Sequence, residues 1–305
     1  MRHRFLTADV FTDRVFGGNP LAVLPDARGI GGADMQKVAR EFNLSETVFV
    51  LPPERPGNAR RLRIFTPARE LPFAGHPTVG TALVLAWIGE IDLSGEATEI
   101  VLEEGAGLVP VTIRASGGRA DFAQLVAPNA PEIRPAPEAP EVAALLSLDP
   151  SDLRLDAGLP RACSCGLPFL IVELRDAAAL GRARLDRAPW QRLLADAWAK
   201  AVYVFTRDAA AAGADFRARA FAPAAGIEED PATGSAAAAL GGWLGTREAM
   251  GDGHHRYVIA QGLEMGRPSR LEVEAERREG ALAAVRVGGG AVPVAEGTIE
   301  VPGGG

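Results

Sequence analysis

The sequence predicts two similar α/β domains in one chain. Three observations lead to this: the length of 305 residues, the alternation of strand-like and helix-like segments, and a sequence block that occurs twice. A domain usually has about 100–200 residues, so the length alone favours two. Hydrophobic residues make up 47% and charged residues 23%, as in a globular protein that can form a core without disulfides or metals.

The repeated block has two parts in each half of the chain. Residues 63–67 (RIFTP) resemble 219–223 (RAFAP), and residues 77–82 (PTVGTA) resemble 231–236 (PATGSA). The copies are separated by 156 and 154 residues, and this near-constant offset favours duplication over shared composition. We therefore expect domains at 1–127 and 128–305, with the last strand able to join the first domain. A binding cleft is expected between the two.

The first half reads as strands with one amphipathic and one apolar helix. Alternating apolar residues, rich in β-branched and aromatic types, predict strands, and a 3.6-residue spacing predicts helices. The predicted strands are 5–10, 21–24, 46–50, 62–65, 99–103, 108–113 and 120–126. The predicted helices are 33–42 and 81–88, and the glycines at 75–80 predict a turn before the second helix.

The second half has the same order. Residues 127–150 are rich in proline and alanine and predict a linker with a short helix. The predicted strands are 169–174, 201–205, 216–221, 257–260, 270–274 and 283–287. The predicted helices are 190–198 and 235–244, with a turn at 229–234 before the second.

Charge and composition exclude several partners. A net charge of −7 without a basic stripe argues against nucleic acid. The first residues lack the apolar core of a signal peptide, and the apolar run 79–89 is too short to span a bilayer. Cys163 and Cys165 form no disulfide framework, so we expect a reducing cytoplasm. This C-x-C pair has no second pair for zinc and is interpreted as buried structural thiols.

The sequence offers little to hold a cofactor. Lys37 and Lys200 are the only lysines, and neither lies in the glycine-rich loop of a pyridoxal enzyme. The glycines at 105–107 lie between two predicted strands, which indicates a turn rather than a dinucleotide loop. His254 and His255 are adjacent, a spacing that does not fit a zinc site. We expect chemistry without a cofactor or metal.

The repeated turns are the first candidate site. Each places a polar residue directly before a proline, His76 in one half and Asp230 in the other. The helices predicted to start at Thr81 and Ser235 would present amides without helix partners, which attract a carboxylate. Plain helix capping by these hydroxyls stays open as the alternative.

Two further residues are candidates. Glu46 opens an apolar strand, where burial would bring a carboxyl group into the range of a general acid/base. A solvated glutamate at a strand end is the alternative. Asn19 could bind a ligand or shape a turn.

These motifs together resemble the PhzF family of phenazine-biosynthesis-like isomerases. The matching segments cover the chain in the family's order: 9–12 (DVFT), 17–23 (GGNPLAV), 43–47 (NLSET), 75–82 (GHPTVGTA) and 230–236 (DPATGSA). The resemblance implies the diaminopimelate-epimerase-like fold, with two pseudo-symmetric domains, each a mixed sheet around a central helix. It also implies a cofactor-free site in the interdomain cleft, a small carboxylate substrate and a homodimer.

The resemblance also implies roles for individual residues. Glu46 would be the general acid/base, with His76 and Asp230 as neighbouring polar catalytic groups. The residues expected to bind substrate are Asn19, Ser45, Gly75, Gly80, Thr81, Thr233, Gly234 and Ser235. Thiol epimerases of this fold carry a cysteine at each turn, and its absence here disfavours a two-thiol racemase. An epimerase using Glu46 and Asp230 as two bases, or a non-catalytic binding homodimer, stays open.

Overall fold

The computed structural model describes residues 1–156, 158, 160–247 and 250–302. The chain divides into two compact units. Unit 1 comprises Met1–Pro128 together with Val287–Gly305, and unit 2 comprises Asn129–Arg286. Unit 1 is therefore discontinuous in sequence, because unit 2 is inserted before its final strand.

The elements of both units follow in chain order. The first 128 residues form β1 (Arg2–Val10), β2 (Asn19–Leu24), α1 (Gly32–Phe42), β3 (Glu46–Leu51), β4 (Arg60–Phe65), β5 (Glu70–Leu71), α2 (Gly75–Trp87), β6 (Ala97–Glu104), β7 (Gly107–Ser116) and β8 (Arg119–Val126). Residues 129–289 form β9 (Glu132–Arg134), α3 (Ala139–Leu145), β10 (Arg161–Ser164), β11 (Pro168–Glu173), α4 (Ala177–Arg182), α5 (Arg187–Leu193), β12 (Ala201–Thr206), β13 (Phe216–Ala222), β14 (Ile227–Asp230), α6 (Gly234–Gly245), β15 (Gly253–Gln261), β16 (Ser269–Arg278) and β17 (Ala281–Gly289). The last strand is β18 (Ala291–Glu300).

Unit 1 is a mixed sheet around a buried helix. β2 pairs with β1 in an antiparallel and with β3 in a parallel arrangement, and in the parallel pair Leu21 lies opposite Glu46. β18 runs antiparallel along β1, with Arg2 opposite Glu300. α2 is buried from Gly75 to Leu85 and contacts β1, β2, β3, β7, β8 and β18. A helix that is apolar on all sides has to be enclosed in this way.

Unit 2 repeats this topology. β10 and β11 are antiparallel, β11 and β12 are parallel, and β12 and β13 are antiparallel. The four strands β1 to β4 of unit 1 pair in the same sequence of antiparallel, parallel and antiparallel arrangements. α6 is buried along its whole length and contacts β10, β11 and β16. The duplication seen in the sequence is thus visible in the strand pairing.

The start of α2 differs from the prediction. The sequence predicted a turn over 75–80 and a helix from Thr81, but the helix already begins at Gly75. Pro77 lies in the first helical turn, where its missing N–H has no partner to lose and its fixed φ fits the helix. The amides of Gly75 and His76 are therefore the ones at the helix end, and that of Thr81 lies a turn further on.

The two copies of the repeated block differ in where the helix begins. α2 begins at Gly75 and α6 at Gly234, so His76 and Ser235 occupy the same second helical position. Asp230 lies before its helix, as the last residue of β14. His76 therefore lies within its helix and Asp230 before its own, although the sequences around the two prolines are similar.

A second helix is also shifted. The prediction at 190–198 is replaced by α5 over Arg187–Leu193, where the Asp186 side chain accepts the amide N–H of Ala188 at the helix start. A side chain that caps the first amides sets the start of a helix. The predicted range 190–198 begins after this capping residue and therefore missed the first turn of the helix.

Gly80 lets α2 lie close to the sheet. A Cβ atom at this position would lie 2.5 Å from Val10 Cγ2 and 2.6 Å from Leu21 Cδ2. Such distances are too short for carbon atoms, so the close contact with β1 and β2 requires glycine. The structure gives Gly80 a packing role inside the helix rather than a place at its end.

We predict that Gly80→Ala destabilises the protein by about 1–3 kcal/mol, as expected for overpacking of a tight core. Gly181→Ala is the matched control, since a Cβ at this helical glycine meets no atom within 4 Å. The control should stabilise α4 by about 0.5–1 kcal/mol or leave it unchanged. Urea unfolding of the three proteins measures both effects, and equal midpoints would contradict the packing argument.

Candidate functional site

Glu46 is a buried carboxyl group at the start of a strand. α1 ends at Phe42, and the following Asn43 adopts φ 51° and donates its N–H to the carbonyl of Ala39. The chain then passes through Ser45 and enters β3 at Glu46, whose exposure is 7%. The position at a strand start, predicted from sequence, is confirmed, and the alternative of a solvated glutamate is wrong.

His76 is the neighbour of this carboxyl group. Its Nε2 lies 3.2 Å from Oε2 of Glu46, and the exposure of its side chain is only 4%. Burial lowers the pKa of His76 to about 3, because a charged imidazolium is poorly solvated there. The first turn of α2 thus brings a neutral imidazole to a buried carboxyl group.

The loop before β2 contains two residues with unusual backbone angles and ends near the start of β3. Phe11 and Phe16 adopt φ values of 65° and 66°, which are unusual for aromatic residues. The buried carboxylate of Asp9 accepts the Phe16 N–H at 2.6 Å. The loop delivers Asn19, fully buried, to the start of β2, two residues before the residue that pairs with Glu46.

A second polar cluster lies in unit 2. The Thr233 hydroxyl donates to Oδ2 of Asp230 at 2.5 Å, and Gln261 Nε2 donates to the Asp230 carbonyl at 2.8 Å. Oε1 of the same amide accepts the Thr233 N–H and the Tyr203 hydroxyl. Burial, with the nearby Asp230 charge, raises the pKa of Tyr203, so its hydroxyl stays a donor.

The predicted site residues fall into these two clusters. Unit 1 brings together Glu46, His76 and Gly75, with Ser45 adjacent in sequence. Asn19 begins β2 at the same end of the sheet at which Glu46 begins β3. In unit 2, Asp230 and Thr233 precede the buried first turn of α6, which holds Gly234 and Ser235. Gly80 and Thr81 lie within α2, so the reason for placing them at a helix end no longer holds.

Sequence reasoning missed Gln261 and Tyr203. Gln261 is fully buried at the end of β15 and fixes both the Asp230 backbone and Thr233. Its place directly after the apolar run 257–260 could have marked Gln261 as a buried polar residue. Tyr203 stands among apolar residues of β12, and nothing in that run marks its hydroxyl.

The two cysteines have a packing role. Cys163 and Cys165 are free and buried, and burial raises the pKa of each thiol to about 12. A Cβ on Gly242 of α6 would lie 2.5 Å from Cys165 Sγ, so this sulfur packs directly against the helix backbone. The interpretation as buried structural thiols is consistent with this environment.

Among the residues that the structure describes, no group of three or more His, Cys, Asp or Glu side chains is arranged as metal ligands. None of the helices in this part of the chain is long and apolar enough to cross a membrane.

Comparison with protein families matches residues 8–297 to the phenazine biosynthesis-like proteins. An uncharacterised isomerase of Mesorhizobium japonicum is 43% identical, with 97% of this chain and 98% of that protein covered. The trans-2,3-dihydro-3-hydroxyanthranilate isomerase of Pseudomonas aeruginosa is 37% identical, with the same coverage of both chains. These relatives are named isomerases, so an isomerase is the supported class of protein.

A solved structure gives the same result for the fold. The Bacillus anthracis phenazine biosynthesis protein of the PhzF family matches with a TM-score of 0.87 and 25% identity, and the match covers 98% of this chain and 99% of that one. The α/β fold class predicted from the sequence is thereby confirmed.

We predict that buried His76 makes stability depend on pH. Below pH 6.5 the unfolded chain binds a proton at this imidazole, while the folded chain does so only near pH 3. The free energy of unfolding should therefore fall by about 1 kcal/mol per pH unit as the pH falls through this window. His76→Gln should remove this part of the slope and match the wild-type slope above pH 7. Identical slopes at pH 4–6 would show that His76 is not buried in neutral form.

Proposed function

We propose that this chain, which belongs to the family of phenazine biosynthesis-like proteins, is a cofactor-independent isomerase. It would move a proton on a small carboxylate-bearing substrate, with Glu46 as the general acid/base. The observation that supports this most directly is the buried Glu46 carboxyl group beside a neutral His76.

The proposed step is a proton transfer within the substrate. Glu46 removes a proton from a carbon atom activated by a neighbouring unsaturated group and returns it to another carbon. A neutral His76 adds no positive charge beside Glu46, and it can donate or accept a hydrogen bond as the carboxyl group changes its protonation.

We propose that the substrate carboxylate binds at the N-terminal end of α6. The amides of Gly234 and Ser235 begin α6 and have no acceptor within the helix. Their dipoles favour a negative charge, and the glycine allows a close approach of the ligand to the backbone. The preceding Asp230 and Thr233 are proposed as polar groups of the same reaction, and a homodimer as the assembly.

The substrate class follows from the relative of known activity. The Pseudomonas aeruginosa enzyme is named for trans-2,3-dihydro-3-hydroxyanthranilate, an amino carboxylate on a six-membered ring. We propose a small cyclic amino carboxylate for this chain as well. That compound is the first probe, followed by a panel of cyclic and aromatic amino carboxylates.

We predict that Glu46→Gln lowers turnover by about 10²–10⁴-fold, since the amide keeps the size of the side chain but cannot accept the proton. The measurement is deuterium incorporation into the probe in deuterated water, followed by NMR. The matched control, Cys163→Ser with Cys165→Ser, should keep turnover, because both thiols are buried and neither lies in a repeated turn. Unchanged turnover in Glu46→Gln would remove Glu46 from the mechanism, and binding without any exchange in the wild type would favour a non-catalytic protein.

We predict that Asp230→Asn loses turnover while it binds simple carboxylates more tightly. Removal of one negative charge about 4 Å from the ligand relieves about 1 kcal/mol of repulsion, or about fivefold in Kd. The Asn side chain can still accept the Thr233 hydrogen bond, so the fold should be kept. Calorimetry with anthranilate measures binding. Full turnover by Asp230→Asn would exclude Asp230 from the reaction. Deuterium exchange into the probe by this variant without formation of product would favour the two-base epimerase.

A further inference from the structure

A buried carboxyl group outside the proposed mechanism lies beneath the first turn of α2. Glu104, the last residue of β6, is 8% exposed. Its Oε1 lies 2.6 Å from the Thr78 hydroxyl oxygen, and that oxygen lies 2.7 Å from the Ala74 carbonyl oxygen. Oε2 of Glu104 is buried and has no hydrogen-bond partner among the described residues.

The two short contacts between these oxygens require two hydrogens. The Thr78 hydroxyl has one hydrogen, and the Ala74 carbonyl can only accept. An ionised Glu104 could also only accept, so one of the two short contacts would bring two oxygens together without a hydrogen. A protonated Glu104 resolves this, because its O–H donates to Thr78 and the Thr78 hydroxyl donates to Ala74.

The remaining oxygen supports the same assignment. An unpaired Oε2 is the carbonyl oxygen of a neutral acid, which costs less in a buried place than an unpaired charged oxygen. Thr233 shows the opposite case: its hydroxyl donates to Asp230 while it accepts from the Gln261 amide, so no proton on the carboxylate is needed.

Four of the charged groups near Glu104 form ion pairs with each other, and a fifth, Glu103, accepts backbone amides. An open cavity of about 740 Å³ beside Glu104 is also lined by charged side chains from β4, β5, β6 and the loop before β4. These are Glu54, Arg55, Arg61, Arg63, Glu70 and Glu103. Arg61 pairs with Glu54 and Arg63 with Glu70, and the Glu103 carboxylate accepts the amides of 54 and 55. On α2 the titratable residue is His76. Burial accordingly raises the pKa of Glu104 to about 8.

We propose that Glu104 is held as a neutral carboxylic acid at neutral pH and acts as a positioning residue for His76. Its O–H holds Thr78, and Thr78 belongs to the helical turn that carries His76 to Glu46. Ionisation in alkaline solution leaves one hydrogen between two acceptors, so the turn loses a contact and His76 moves relative to Glu46. The part that concerns turnover rests on the proposed function, whereas the protonation state does not.

Infrared difference spectroscopy tests the protonation state without a substrate. The wild type at pH 7 should show the C=O stretching band of a protonated carboxylic acid, lost as the pH rises through about 8. Glu104→Gln should lack the band, Glu46→Gln should keep it, and Thr78→Val should shift its frequency by removing the hydrogen-bond partner. A wild-type spectrum at pH 7 without a band that depends on Glu104 or Thr78 overturns the proposal.

The pH profile of turnover tests the positioning role. The Glu104→Gln amide donates to Thr78 at every pH, so this variant should keep turnover at pH 7 and lose the alkaline decline seen in the wild type. An alkaline decline that persists unchanged in Glu104→Gln contradicts the positioning role. Should neither protein turn over the probe while the infrared band is present, the proposed function fails and the protonation assignment stands.

Discussion

The enclosure of a helix that has no polar face is the constraint on which the rest of this structure depends. α2 and α6 are buried almost completely, so the strands of each unit must surround them and small residues such as Gly80 must let the backbones approach. Along such a helix no side is available for polar chemistry. The first turn is the exception, because its amides have no partners within the helix and require polar surroundings. The polar clusters of both units lie at these turns.

The two units meet this constraint with different residues. In unit 1 the polar side chain, His76, lies inside the first turn and reaches the start of a neighbouring strand. In unit 2 the carboxylate of Asp230 lies before the helix and is fixed by Thr233 and by the amide of Gln261. The corresponding places of the two units therefore hold different groups, a neutral imidazole in unit 1 and an oriented carboxylate in unit 2.

Much of the fold could be predicted because its strands are apolar runs and its central helices are rich in small apolar residues. Glu46 could be named for the same reason, since it opens such a run. Its closeness to His76 could not be derived from spacing, because it depends on the helical position set by Pro77 and on the parallel pairing of β2 and β3. Glu104 carries no sequence signal, because its place after Glu103 looks like an ordinary exposed strand end. Pro293 and Gly297 interrupt the alternation of β18, so the pattern of that segment indicates a strand only weakly.

The discontinuity of unit 1 bears on how the protein is made. β1 is synthesised before unit 2, but its partner β18 is synthesised only after the whole of unit 2. At ~5–20 residues per second the interval is on the order of tens of seconds. During it the backbone of β1 has one unpaired edge, of the kind that recruits other strands. Unit 2 is continuous and can complete its own pairing first, so the order of folding is the reverse of the order of synthesis. The nascent chain should therefore depend on chaperones most while unit 2 is being translated.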